Sequence, residues 1–275
     1  MGEASTLPEG SSLELLSIPT DDDPLDGLWY AAAAPARGGV LLLHGNTMNL
    51  LAGPPRYLPP RLVADGWDCL AFNRRGHDVL GTRNSRILEG GAFQTAAQGL
   101  DDITSATDRM RRRGHDQPVL IGHSNGGTLG AAWTAARPGR VRALVLLSAH
   151  RGGSDTLAWS SAMGHLAGDR LDEALAEAES LVADGRGDEL MLLPGWWHVI
   201  SAASLLDRRD HTPDLLAAAR GIDCPVLFLV GDREEDPDVY PAGAFRDACP
   251  SRCDVVVVDD CDHFQTGRES HVTDL

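Results

Sequence analysis

Lysine is absent from this chain. All 24 basic residues among the 275 are arginine, set against 40 acidic residues, for a formal net charge of −16. No Schiff-base aldolase, lysine-anchored pyridoxal-phosphate enzyme or lysine-bearing P-loop can be built from such a sequence. A basic face is also missing, which argues against nucleic acid or an anionic membrane as a partner. Long apolar runs are missing too: the longest, such as 40–43 and 255–258, have strand length rather than membrane-spanning length. Residues 1–12 are polar and acidic and do not read as a signal peptide. The five cysteines form an odd set without framework spacing, so reduced thiols in a cytoplasm are the expectation.

What is present reads as a soluble α/β protein. Hydrophobic residues make up 43% and charged residues 23%, close to globular averages. Residues 13–18 and 28–33 flank turn signals at 21–24 and predict an antiparallel pair. The runs 40–43, 68–72, 119–121, 143–147, 226–230 and 254–258 are continuously apolar, as parallel strands covered on both faces should be. Helical segments lie between them, one carrying Ile103, Thr107 and Met110 and ending near Gly114, another over 126–136. Repeated strand–helix–strand units imply a parallel sheet with right-handed crossovers.

Residues 152–216 interrupt that rhythm. They show no convincing strand but one amphipathic helix, 171–182, with Leu171, Leu175, Ala178 and Val182 on one face. The spacing predicts a core in two parts, 1–151 and 217–275, with 152–216 inserted as a helical cap. Trp159, Trp196 and Trp197, half of the six tryptophans, fall in that insert.

One constellation carries chemistry. Gly122-His123-Ser124-Asn125-Gly126 matches the G-x-S-x-G nucleophile pattern. With 30 glycines in the chain, chance alone supplies roughly 0.2 such matches, so the pattern needs context. Here it follows an apolar run and opens a Gly/Ala-rich helix, the strand–turn–helix setting the motif demands. A serine hydroxyl needs a base and an orienting acid to become a nucleophile. His263 follows the last strand, and the acidic loop 231–236 follows the strand before it, giving the chain order serine, acid, histidine. The amide of Asn125 and that of Asn46, after the strand 40–43, are candidate oxyanion donors.

With His44-Gly45-Asn46, Asn73-Arg74-Arg75-Gly76-His77, Gly122 to Gly126, Gly231 to Glu234 and Asp262-His263-Phe264 in this order, the chain resembles the α/β-hydrolase superfamily over nearly its whole length. The segment 200–234 with Asp262-His263-Phe264 is also similar to a branch containing siderophore-ester hydrolases. The resemblance implies an eight-stranded, mostly parallel sheet, a cap after the sixth strand and a Ser124–acid–His263 triad. Where the family often has Gly-x-x-Asp, the third residue after Gly231 is Glu234, which takes the acid's place, with Asp232, Glu235 and Asp236 as alternatives. His44 and His77 are read as loop-bracing residues near the site.

The remaining candidates divide by geometry. Cys249, Cys253, Cys261 and His263 do not make a zinc site, because the strand between Cys253 and Cys261 separates those thiols by roughly 26 Å. Trp196 and Trp197, with His150, are candidate pocket residues. The expected activity is hydrolysis of a small-molecule carboxylic ester or thioester through an acyl-enzyme on Ser124, with no metal or cofactor. Rivals are C–C or amide hydrolysis, cyclisation or acyl transfer on the same triad, and a non-catalytic binding protein. Serine at the elbow disfavours the dehalogenase and epoxide-hydrolase branches, which use aspartate there. Acidic loops at 232–238 and 259–262 predict a neutral or cationic ester unless Arg75 or Arg151 offsets them.

Overall fold

The structure, a computed structural model, describes residues 7–33, 35–82, 86–164, 166–194, 199–234 and 236–275. The chain opens with β1 (Ser12–Ile18) and β2 (Leu25–Ala31), paired antiparallel in the register Ile18↔Leu25. The second strand starts three residues earlier than the apolar pattern predicts. The turn tightens because Thr20 Oγ1 accepts from the amide of Asp22 at 3.0 Å and donates to the carbonyl of Asp23 at 2.9 Å.

Next come β3 (Gly39–Leu43), α1 (Pro54–Ala64) and β4 (Asp68–Phe72). No helix is legible at 54–64, because four prolines hide it. Pro54 and Pro55 sit in the first turn, where an amide would have no helical partner anyway. Pro59 and Pro60 lie inside the helix and forfeit internal bonds. Burial of Leu58, Pro59 and Val63 against the sheet holds this helix, in place of propensity.

A small hairpin, β5 (Gly81–Thr82) with β6 (Leu88–Glu89), precedes α2 (Ala96–Arg112). Thr95 and Gln98 form a reciprocal capping box at the start of α2, and Arg109, Arg111 and Arg112 suit its negative end. Then follow β7 (Val119–His123), α3 (Asn125–Ala135) and β8 (Ala143–Leu147).

After this sixth strand of the main sheet come α4 (Thr156–Ala162), α5 (Leu171–Ala183), the hairpin β9 (Leu190–Leu192) with β10 (Val199–Ser201), and α6 (Ala202–His211). These three helices and the hairpin gather a core of their own around Leu157, Ala178, Leu181, Met191, Ile200 and Leu205. Two short strands therefore occur where the sequence shows none, each only three residues long and too short for a periodic signal. The buried face of α5 is Ala174, Ala178 and Leu181, while Val182 is 40% exposed. Packing against α6 turns the helix away from the stripe that hydrophobicity alone selects.

The chain ends with α7 (Leu215–Ala219), β11 (Val226–Gly231), α8 (Ala242–Ala248), β12 (Cys253–Val258) and α9 (Glu269–Asp274). Eight strands form one sheet in the order β1-β2-β4-β3-β7-β8-β11-β12. Only the β1–β2 and β2–β4 pairings are antiparallel. All five residues of β3 are buried, with Leu41 and Leu43 in the core beneath α2 and α3 and Val40 and Leu42 in the core beneath α1. Among the described residues, no helix is long and apolar enough to cross a membrane.

Candidate active site

The carboxyl ends of β3, β7, β8, β11 and β12 carry the loops that meet at Ser124, as open parallel sheets require of a site built at their strand ends. Ser124 sits between β7 and α3 with φ 52° and ψ −126°, a backbone conformation that side-chain-bearing residues avoid. Its amide donates to the carbonyl of Leu147 at 2.9 Å, tying the turn to β8. Glycine is required on both sides. A Cβ at Gly122 would lie 2.6 Å from the carbonyl oxygen of Gly126, and one at Gly126 would run into the backbone of Leu43 and His44.

The three candidate residues come together from three loops. His263 Nε2 is 3.0 Å from Ser124 Oγ, and His263 Nδ1 is 2.6 Å from Glu234 Oε1. The Glu234 side chain is only 3% exposed, and its other oxygen accepts from Ser148 Oγ at 2.5 Å and from the amide of Gly231 at 2.9 Å. Two of the alternatives for the acid, Asp232 and Asp236, do not reach the imidazole. Asp232 accepts from the amides of Asp260 and Cys261, Asp236 accepts from the amide of Asp238, and Glu235 lies outside the described residues. The carbonyl of His263 accepts from His123 Nε2 and Gln265 Nε2, both at 2.8 Å, so the loop carrying the histidine is held from below.

The loop after β3 lies against the elbow, since a Cβ at Gly45 would stand 3.3 Å from Ser124 Cβ. Neither the amide of Asn46 nor that of Asn125 has an acceptor among the described residues, so both are available to a ligand oxygen. Residues 39–196, more than half of the chain, match the family described as alpha/beta hydrolase fold.

The chain belongs to the α/β-hydrolase family. A monoacylglycerol lipase of Mycolicibacterium smegmatis is 28% identical over 212 residues, 72% of this chain and 70% of that protein. Among solved structures, Est1E from Butyrivibrio proteoclasticus with ferulic acid bound superposes with a TM-score of 0.69 at 18% identity, covering 94% of this chain and 95% of that one. The α/β hydrolase GrgF from Penicillium sp. sh18 gives 0.71 at 16% identity, covering 98% and 96%. These structural likenesses speak for the fold.

In this α/β-hydrolase three of the remaining sequence candidates, His44, His77 and His150, have definite places. His44 Nδ1 donates to the carbonyl of Gly45 at 2.7 Å and its Nε2 accepts from the amide of Arg74 at 3.0 Å, a brace between two site loops. Burial, reinforced by the Arg74 charge, holds its pKa well below the ordinary histidine value. His77 is tied to Asp78 and Glu89. His150, three residues beyond β8, lies close enough to His263 and Arg208 for their charges to act on it, and burial brings its pKa down to about 4. Trp196 and Trp197 lie outside the described residues.

Several residues around the site were not legible in the sequence. Tyr240, whose ring centroid is 5.5 Å from that of His263, walls the imidazole together with Phe264 at 5.1 Å, and Trp159 of α4 meets Tyr240 edge-on. Arg74 is buried against the loop after β3, bonding the carbonyl of His44, and Arg208 of α6 reaches Asn46 in the same loop. Arg74 sits inside a motif that the family resemblance quotes, so its neighbourhood was signalled; nothing in the Arg208-Arg209 pair tells which one turns inward. Arg75 does not face the cleft: its Nε and amide hold the buried carboxylate of Asp102 at 2.7 and 2.8 Å. In the acidic loops Asp262 accepts from the amides of Phe264 and Thr266, and Asp260 pairs with Arg233 and Arg268.

Proposed function

We propose that this α/β-hydrolase is a serine hydrolase that cleaves a carboxylic ester or thioester of a small organic molecule. The observation that carries the reading is the unbroken chain Ser124 Oγ, His263, Glu234, with separations of 3.0 and 2.6 Å. Hydrogen bonds of that length let the imidazole accept the serine proton as Oγ attacks the carbonyl carbon. Glu234, an acceptor toward Nδ1, keeps the proton on that nitrogen and leaves Nε2 free as the base. The carbonyl oxygen gains negative charge and settles against the amides of Asn46 and Asn125. Collapse expels the alcohol or thiol, which takes the proton back from Nε2, and an acyl group remains on Ser124. Water then repeats the sequence: it gives a proton to His263, attacks the acyl carbon and releases the acid, while Oγ recovers its proton. Only protein groups and water take part.

The ester chemistry named for the relative from Mycolicibacterium smegmatis supports this bond class. A fluorophosphonate probe tests the mechanism. It should label Ser124, and Ser124→Ala should abolish labelling. Turnover of short-chain p-nitrophenyl esters should disappear in the same variant. Labelling that survives Ser124→Ala, or no labelling of the wild type, overturns the reading. Turnover of amide or C–C substrates in preference to matched esters would move the activity to another reaction on the same triad.

A further inference from the structure

Two arginines, Arg74 fully buried and Arg208 half-buried, meet the two segments that carry the candidate oxyanion amides, and the proton relay uses neither. Arg74 donates from Nη2 to the carbonyl of His44 at 2.7 Å and from Nη1 to Asn125 Oδ1 at 3.4 Å. Arg208 donates from Nη2 to Asn46 Oδ1 at 2.9 Å and to the carbonyl of Gly91 at 3.3 Å. Each residue that offers an oxyanion amide is thus held by its own side-chain carboxamide, and each by a different guanidinium. We propose that Arg74 and Arg208 are positioning residues of the oxyanion hole, aiming its two amides and placing positive charge behind the developing oxyanion. The proposal rests on the serine-hydrolase reading.

An oxyanion hole accelerates a reaction only if its donors are aimed before charge develops. Asn46 lies between Gly45, which has no Cβ, and Thr47, which stands at a φ of 53°. The backbone bond that closes this turn, from the amide of Met48 to the carbonyl of Gly45, is long at 3.4 Å. The side-chain anchor to Arg208 supplies the missing constraint. A guanidinium only donates, so it also fixes which way the carboxamide faces: Oδ1 toward Arg208, Nδ2 away.

Arg74 acts on the other segment from below. It is fully buried and joins the backbone of the β3 loop to the side chain that follows the nucleophile, so the two halves of the hole are registered on one rigid, planar group. Burial draws both pKa values down, to about 10, which leaves both guanidinium groups charged at neutral pH. Charges in a site that excludes water act on an oxyanion with far less screening than in solution. Because Arg208 belongs to α6, the outer helices are attached directly to the catalytic loop, and their position is felt by the chemistry.

The test measures the fluorophosphonate inactivation constants kinact and KI for wild type, Arg208→Gln, Arg208→Lys, Asn46→Ala and the Arg208→Gln/Asn46→Ala double variant, with unfolding midpoints alongside. The expectation is a fall in kinact on the order of tenfold to a hundredfold for Arg208→Gln, with KI and the midpoint little changed. Arg208→Lys should restore part of the loss. The double variant should be no worse than the worse single one, because both break the same contact. Asn46→Ala probes that contact from the other side if Arg208→Gln fails to fold. A kinact near wild type in both single variants, a change confined to KI, or effects that multiply in the double variant would each overturn the proposal while leaving Ser124 labelled. Failure to label Ser124 in wild type overturns the serine-hydrolase reading and this proposal with it.

Discussion

The amide of Gly231 donates to Oε2 of Glu234 at 2.9 Å, and that contact decides which way the carboxylate faces. It leaves Oε1 toward His263 Nδ1 at 2.6 Å. In Glu234→Gln the same amide would still demand an acceptor, so the variant's Nε2 amide group would be turned onto His263. The imidazole would then carry its proton on Nε2 and could not accept one from Ser124. We expect kcat to fall on the order of 10⁴-fold with folding intact. Ester turnover and circular dichroism check this, and a variant with more than a tenth of wild-type turnover would sink the assignment of Glu234.

Strain at Ser124 gives a stability prediction that is separate from activity. Ser124 stands at φ 52° and ψ −126°, and glycine alone occupies that region freely. Ser124→Gly and Ser124→Ala should both be inactive, yet the glycine variant should be more stable than the alanine variant by about 1 kcal/mol, after the entropic cost of glycine. Urea denaturation of the pair measures this. Equal midpoints would mean that the elbow is not strained.

Gly126 has an ordinary backbone conformation, but a Cβ there would press on the carbonyls of Leu43, at 2.8 Å, and His44. Backbone cannot step aside as a flexible side chain can. Gly126→Ala should therefore push the loop bearing Asn46 off its mark, lowering kcat on the order of a hundredfold. A stability loss of about 1–3 kcal/mol should accompany it. Unchanged turnover in a folded Gly126→Ala protein would show that the loop tolerates displacement.

Two fully buried histidines make the fold sensitive to acid. Burial holds the pKa of His123 at about 3, helped by the His263 charge, and that of His44 well below its ordinary value. Both groups are depressed relative to the unfolded chain, which binds protons near pH 6.5 while the folded protein does not. Stability should thus be constant above about pH 7 and fall as the pH drops below 6.5, by up to about 1.4 kcal/mol per pH unit for each histidine. Urea midpoints between pH 7.5 and 4.5 measure the slope. His123→Phe should lessen it, with His44 and His150 supplying the rest, and the same slope in that variant would remove His123 as a source.

The sheet was largely legible because parallel strands buried on both faces must be continuously apolar, and 68–72 and 143–147 coincide with β4 and β8. The candidate site was legible where chemistry requires a particular residue at a particular turn. Ser124 has glycines around it because backbone packs on backbone there, and His263 follows a strand whose end points at the site. What stayed hidden had no periodic signature. The helix α1 was masked by its prolines, β9 and β10 were too short, and the buried face of α5 was set by a neighbour.

The sequence by itself determined the chemistry that is possible. Lacking lysine, it left a serine, a histidine, a choice of carboxylates and backbone amides, in an order that a parallel sheet brings to one edge. Only the tertiary structure decided among near neighbours. It turned Glu234 toward His263, and Asp232 toward backbone amides, because Gly231 and Ser148 hold one carboxylate and residues 260 and 261 hold the other. It sent Arg75 to Asp102 and brought Arg74 and Arg208 to the loop that carries Asn46. Those choices depend on directions in space between segments far apart in the chain, which a one-dimensional pattern does not carry.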